Sequence, residues 1–151
     1  MKKILSLGVV VCMVLLCFCS CAMSILPTDV VYTDYEGVYI TIDSIDESED
    51  YPSLNVTWHN NTNHTVFFGK GYTIEYLDGE EWKNIQIVDF AVIEIACIIE
   101  PGETVEQSYS TKYFNMLRSG TYRIKVDFSL QSDDPVSGIT WAEFELLKQK
   151  F

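Results

Sequence analysis

From Tyr122 to Leu130 the chain alternates without a break. Tyr122, Ile124, Val126, Phe128 and Leu130 are apolar, and Arg123, Lys125, Asp127 and Ser129 between them are polar. Successive side chains of a strand point to opposite faces, so this period of two predicts a β-strand with one face buried and one wet. The same period recurs upstream. Val38, Ile40 and Ile42 alternate with Tyr39, Thr41 and Asp43; Leu54, Val56 and Trp58 alternate with Asn55, Thr57 and His59; Tyr72, Ile74 and Tyr76 alternate with Thr73 and Glu75.

Turn signals separate these runs. Asn60 to Asn63 is a polar turn cluster, and Gly69-Lys70-Gly71 ends a short strand over 65–68. Asp78-Gly79 predicts a hairpin of the type in which both central residues take positive φ, with a return strand over 81–87 carrying Trp82. Pro101-Gly102 suits the middle of a type II turn. Phe90 to Ile99 is apolar on both faces and rich in β-branched residues, which predicts a central strand. Thr104 to Ser110 is a more polar strand, Lys112 to Arg118 one or two helical turns, 131–135 a loop and Thr140 to Leu147 the last strand. There is no internal repeat and no long helix. About seven to nine short strands at regular spacing predict an all-β, antiparallel sandwich.

The N-terminus has another character. Lys2 and Lys3 precede an apolar run from Ile4 to Phe18, followed by Cys19-Ser20-Cys21. A cationic start, a short apolar stretch and a small residue before a processing point make an export signal. Phe18-Cys19-Ser20-Cys21 resembles the lipobox of bacterial lipoproteins, with Phe18 where leucine is usual. That resemblance implies that Cys21 is lipidated and becomes the new N-terminus. The alternative is an uncleaved anchor helix over Ile4 to Leu26, long enough for the ~20 residues that a span needs. Both readings place the remainder on the extracytoplasmic face of the cell membrane, because the two lysines hold the N-terminus inside. The expected organisation is a signal over 1–20, a tether over 21–37 and one domain over 38–151.

A domain of that length buries roughly two thirds of its unfolded surface, enough for a core without staples. Four of the five cysteines, at 12, 17, 19 and 21, fall in the leader, so no disulfide framework is available and Cys97 reads as a buried, inert thiol among Ile95, Ala96, Ile98 and Ile99. The chain carries a net charge of −12, and the part after residue 20 is more acidic still, since Lys2 and Lys3 lie before it and all 22 acidic residues after. Such a surface repels phosphates and excludes nucleic acid as a partner.

Three further segments, Gly79 to Trp82, Ile99 to Glu103 and Leu117 to Ile124, come in an order and spacing that resemble the bacterial immunoglobulin-like domain of Gram-positive lipoproteins and surface proteins. The resemblance spans about Val38 to Leu147. It implies an immunoglobulin-like sandwich, a structural tyrosine corner at Tyr122, an exported domain and no catalytic residues. A more distant likeness is to sandwich inhibitors of subtilisin-type proteases.

Little else points to chemistry. Hydrolase, zinc-peptidase and phosphate-loop motifs are missing. His59 and His64 flank a polar turn and read as exposed turn residues in preference to metal ligands. The acidic run Asp43, Asp46, Glu47, Glu49 and Asp50 lacks the spacing and glycine of a calcium loop and reads as a solvated loop. Trp58, Tyr122 and Phe128 belong in the core; Tyr39, Phe67 or Phe68, and Tyr109 are candidates for the outside. The expectation is a non-enzymatic, membrane-anchored module without catalytic residue, metal or cofactor, contacting an envelope protein or glycan. The alternatives are a protease inhibitor using Gly69 to Gly71 or Gln131 to Gly138, and a carbohydrate- or wall-binding module using exposed aromatics.

Overall fold

The computed structural model describes residues 32–48, 50–88, 95–114, 117–132 and 136–147. The leader, Cys21 and most of the tether lie outside the described residues. Among the described residues, ten strands form two antiparallel sheets: β1 (Tyr32–Thr33), β2 (Val38–Asp46), β3 (Ser53–Asn60), β4 (Val66–Phe68), β5 (Thr73–Asp78), β6 (Glu81–Asn84), β7 (Cys97–Ile99), β8 (Thr104–Ser110), β9 (Gly120–Leu130) and β10 (Val136–Leu146). The smaller sheet has the order β2-β3-β8. The larger runs β1-β10-β9-β4-β7, with β5 also beside β9 and β6 beyond β5.

β9 organises the larger sheet. One edge pairs with β10 along its whole length, from Gly120↔Leu146 to Leu130↔Val136. The other is shared. Its first half pairs with β5, ending at Lys125↔Thr73, and its last three residues pair with β4, from Phe128↔Phe68. The chain between β4 and β5, with Gly69, Lys70 and Gly71, leaves the ladder beside Val126 and Asp127.

The alternating residues supply a core shared by both sheets. Ile40, Leu54, Val56 and Trp58 from the smaller sheet meet Val66, Phe68, Ile74, Ile124, Val126 and Phe128 from the larger. Trp58 stacks on Phe68 at 4.2 Å between ring centroids and meets Phe128 edge-on at 6.5 Å. Burying side chains of this size contributes ~1.5–3 kcal/mol each. Among the described residues, every buried side-chain polar atom has a hydrogen-bond partner. The fully buried Asn60 amide donates to the carbonyls of His64 and Ile99, while its oxygen accepts from the Thr62 backbone and hydroxyl, fixing the turn after β3.

Several elements differ from the sequence expectation. β2 continues to Asp46 because a bulge between Ile42 and Ser44 inserts one residue, after which Ile45 faces Leu54. The inserted residue breaks the period of two, so the segment reads as a loop. Among the described residues, 97–99 form no central strand: β7 is terminal in the larger sheet, with Ile98 52% and Ile95 44% exposed, and Cys97 is half-buried. An all-apolar run does not distinguish a covered strand from an edge strand; the rest of the expected strand, 90–94, lies outside the described residues.

The hairpin at Asp78-Gly79 forms, but Asp78 pairs with Glu81, so the loop is Gly79-Glu80 and Gly79 alone has positive φ. That is the pattern of a type II′ turn, with glycine at the first central position. The return strand ends at Asn84, and Ile87 makes an isolated bridge to Phe114. At Pro101-Gly102 the Glu103 amide donates to the Glu100 carbonyl at 3.1 Å, with Gly102 at φ +78°. The expected helix over 112–118 is one 3-10 turn, Thr111–Tyr113, capped by the Ser110 hydroxyl. β10 starts at Val136 instead of Thr140.

Candidate functional site

The two sheets present different outer faces. On the smaller one, Tyr39 of β2 stacks on His59 of β3 at 4.5 Å, and the His59 Nε2 lies 3.0 Å from the Thr41 hydroxyl. Burial lowers the His59 pKa below its ordinary value, against a smaller upward pull from Asp43. The Asp43 carboxylate accepts from the Thr57 hydroxyl at 2.6 Å, and Asp46 accepts from the Ser48 amide; the Ser48 side chain first, and this backbone bond second, hold the Asp46 pKa below its ordinary value. His64 bonds through its backbone, within the turn that Asn60 and Thr62 hold. The two histidines are thus engaged separately. Among the described residues, no three His, Cys, Asp or Glu side chains are grouped to hold a metal. Glu49 lies outside them.

The outer face of the larger sheet is built on the polar half of the β9 alternation. The Arg123 side chain pairs with Glu75 of β5, and Lys125 approaches the same carboxylate at 3.3 Å. Glu75 is 5% exposed, so the two cations hold a charge that burial alone would penalise. The Arg123 guanidinium also lies 4.5 Å over the Trp82 ring of β6 and 5.8 Å from that of Trp141 on β10. Both tryptophans are half-buried. The array therefore crosses four strands, β6-β5-β9-β10, and sets aromatic faces and charge side by side at the surface.

Further along the same face is an open groove of about 890 Å³. β4, β9 and β10 form its floor, with Phe67, Asp127, Ser129 and Ile139 among its lining, and the Gly69 to Gly71 excursion and Ile95 form its rim. Asp34 closes one end, its carboxylate accepting from the Ile139 amide at 2.7 Å.

Of the residues singled out in the sequence, Cys21 lies outside the described residues. Tyr122 sits under the turn that opens β9; its hydroxyl donates to the Arg118 carbonyl at 2.7 Å and accepts from the Arg118 amide at 3.1 Å. Burial raises its pKa, and the bond to Arg118 works against that rise. Trp58, Tyr122 and Phe128 are in the core as expected, but Tyr109 and Phe68 are also buried. Tyr109 faces inward because its register partner on β3 is the buried Leu54, and its hydroxyl there accepts from the Trp58 indole. The segment 131–138 is not one loop, since Val136 to Gly138 belong to β10.

Sequence reasoning passed over Glu75, Arg123 and Trp141. Their signal was the wet half of each alternation, which reads as ordinary solvated surface until the register places the side chains together.

Residues 34–146 match the family model described as Bacterial Ig-like domain, and the chain belongs to that family. No curated protein matches the chain. Domains of this family are generally non-catalytic, and membership makes the chain a module of the surface or binding kind.

Proposed function

We propose that the chain is a lipid-anchored, extracytoplasmic binding module. Its leader is removed before Cys21, an acylated Cys21 holds it to the membrane, and the outer face of its larger sheet meets a component of the envelope. The lipobox-like Phe18 to Cys21 supports the anchoring, and the family's surface character supports the extracytoplasmic place alone. One observation carries the binding face: the contrast between the two outer faces. The smaller sheet pairs Tyr39 and Thr41 with His59, Thr57 with Asp43 and Asn55 with Ser44, and carries a shallow recess of about 200 Å³ beside Glu106 and Gln107. The larger carries two half-buried tryptophans, a half-buried phenylalanine and a groove on one continuous surface. Aromatic side chains at a surface, with fixed charges beside them, supply the low-entropy contact area that binding sites use.

The test is site-specific photo-crosslinking in the native bacterium, with the full chain bearing a photoreactive residue at Phe67, at Trp141 or, as a control, at Tyr39. Adducts with envelope components from Phe67 and Trp141, and few from Tyr39, are expected. Adducts from Tyr39 alone, or from none of the three, would contradict the assignment of the face.

A further inference from the structure

We infer that the groove beside Phe67 is a binding site for a neutral glycan. The inference rests on the binding-module reading and names the ligand class of that face.

The groove floor is a sheet surface. Ser137 of β10, Ser129 of β9, Phe67 of β4 and Ile98 of β7 are successive register partners, so they stand in one row across four strands. All four sit at outward positions of their alternations. Strands lie ~4.8 Å apart, so the row sets the Phe67 ring in the groove with two hydroxyls at one and two strand spacings from it, and the exposed Ile98 continues the row beyond the groove's lining. Asp127 and Ile139, also register partners, form the next row, with Lys70 at the rim.

The polar groups here are unspent. Among the described residues, the side chains of Lys70, Asp127, Ser129 and Ser137 have no hydrogen-bond or ion-pair partner, unlike Glu75, Arg123 and Lys125 nearby. A mostly apolar concavity of about 890 Å³ with a few polar groups converging on it has the size and make-up of a small-ligand site.

The chemistry selects among ligands. A pyranose has a flat face of C–H groups and a rim of hydroxyls. Phe67 complements the first; the Asp127 carboxylate, the Lys70 ammonium and the serine hydroxyls complement the second. A peptide adding as a strand needs an unpaired sheet edge, and the floor strands β10, β9 and β4 are already hydrogen-bonded to one another. A purely apolar ligand would strip water from a carboxylate and an ammonium without replacing it. A polyanionic glycan is opposed by the net charge of −12. A neutral oligosaccharide meets none of these penalties.

The experiment titrates full-length, lipid-bearing protein, in a detergent without a sugar headgroup, with three probes: a tetramer of N-acetylglucosamine, a tetramer of glucose and an oligogalacturonate. Calorimetry reads the binding, and a thermal melt of every variant checks the fold. At least one neutral tetramer is expected to bind with a dissociation constant of about 1 mM or tighter, and the anionic oligomer not to bind. Phe67→Ala and Asp127→Ala should each weaken that binding about tenfold with an unchanged melt, and Tyr39→Ala should not weaken it. No binding of either neutral tetramer at about 10 mM, or equal binding by Phe67→Ala and wild type, overturns the inference. Crosslinks from Phe67 to a protein, with no neutral glycan bound, would leave the binding-module reading standing and remove the glycan.

Discussion

The indole N–H of Trp58 donates to the hydroxyl of Tyr109 at 3.0 Å, inside the core and between neighbouring strands β3 and β8. The register partner of Tyr109 is Leu54, so its ring enters the core beside the strand that carries Trp58. Burial pushes its hydroxyl pKa well above the ordinary tyrosine value, so it remains a protonated acceptor at any physiological pH.

Tyr109→Phe removes that acceptor and strands a buried indole N–H. A loss of about 1–3 kcal/mol is expected in denaturant unfolding, the desolvation penalty of one unsatisfied group. Trp58→Phe in the same background should show coupling, because the lost bond can be lost only once. Additive losses would mean that the bond contributes nothing.

The Glu75 charge should be held by Arg123 more than by Lys125, since Arg123 pairs closely and also lies over two indole rings. Removing one partner of a buried ion pair costs about 3–5 kcal/mol. Lys125 remains in Arg123→Met, so the expected loss is below that range but above the ~1 kcal/mol ceiling of an exposed pair. The loss should shrink when Glu75→Gln is already present. A double-mutant cycle measures this, and an unchanged loss would show that the pair does not hold the face together.

His59 sets a pH dependence. Its folded pKa lies below the ordinary value near 6.5, chiefly through burial. Between the two values the unfolded chain binds more protons, so the stability associated with neutral His59 is fully present above pH 6.5 and is lost as pH falls toward the folded value. Melting temperatures from pH 8 to 5 should fall more steeply for wild type than for His59→Gln. Parallel curves would contradict the assignment.

Gly138 has no room for a side chain. A Cβ there would lie 2.5 Å from the Phe128 ring and 2.8 Å from the Asp34 carboxylate. Gly138→Ala should cost about 1–3 kcal/mol by overpacking and loosen the Asp34 end of the groove. A melt equal to wild type would show that the ring and Asp34 yield freely.

Much of this fold was legible because alternation carries it. β3 and β9 follow directly from their periods and the Pro101-Gly102 turn from its chemistry, while β5 forms where its period places it but leaves Tyr76 exposed and buries Glu75. Among the parts that were not legible, three show the physical reason. The bulge in β2 shifts the period by one residue and hides the strand beyond Ile42. The all-apolar run ending at Ile99 has no period to say which side is wet. Tyr109 shares its face of β8 with the polar Gln107, so only the register with β3 shows that this face is the inward one. The site was less legible than the fold, because Glu75, Trp82, Arg123 and Trp141 come from four strands and only the register of β5, β6, β9 and β10 brings them to one face.

The central claim is that the sandwich acts outside the cell, tethered through Cys21. Intact-mass and N-terminal peptide analysis of the full chain purified from membranes of its own bacterium tests it most directly. The account expects an N-terminus at Cys21 carrying fatty acyl chains, and none of residues 1–20. An N-terminus at Met1, or an unacylated chain starting elsewhere, would contradict it.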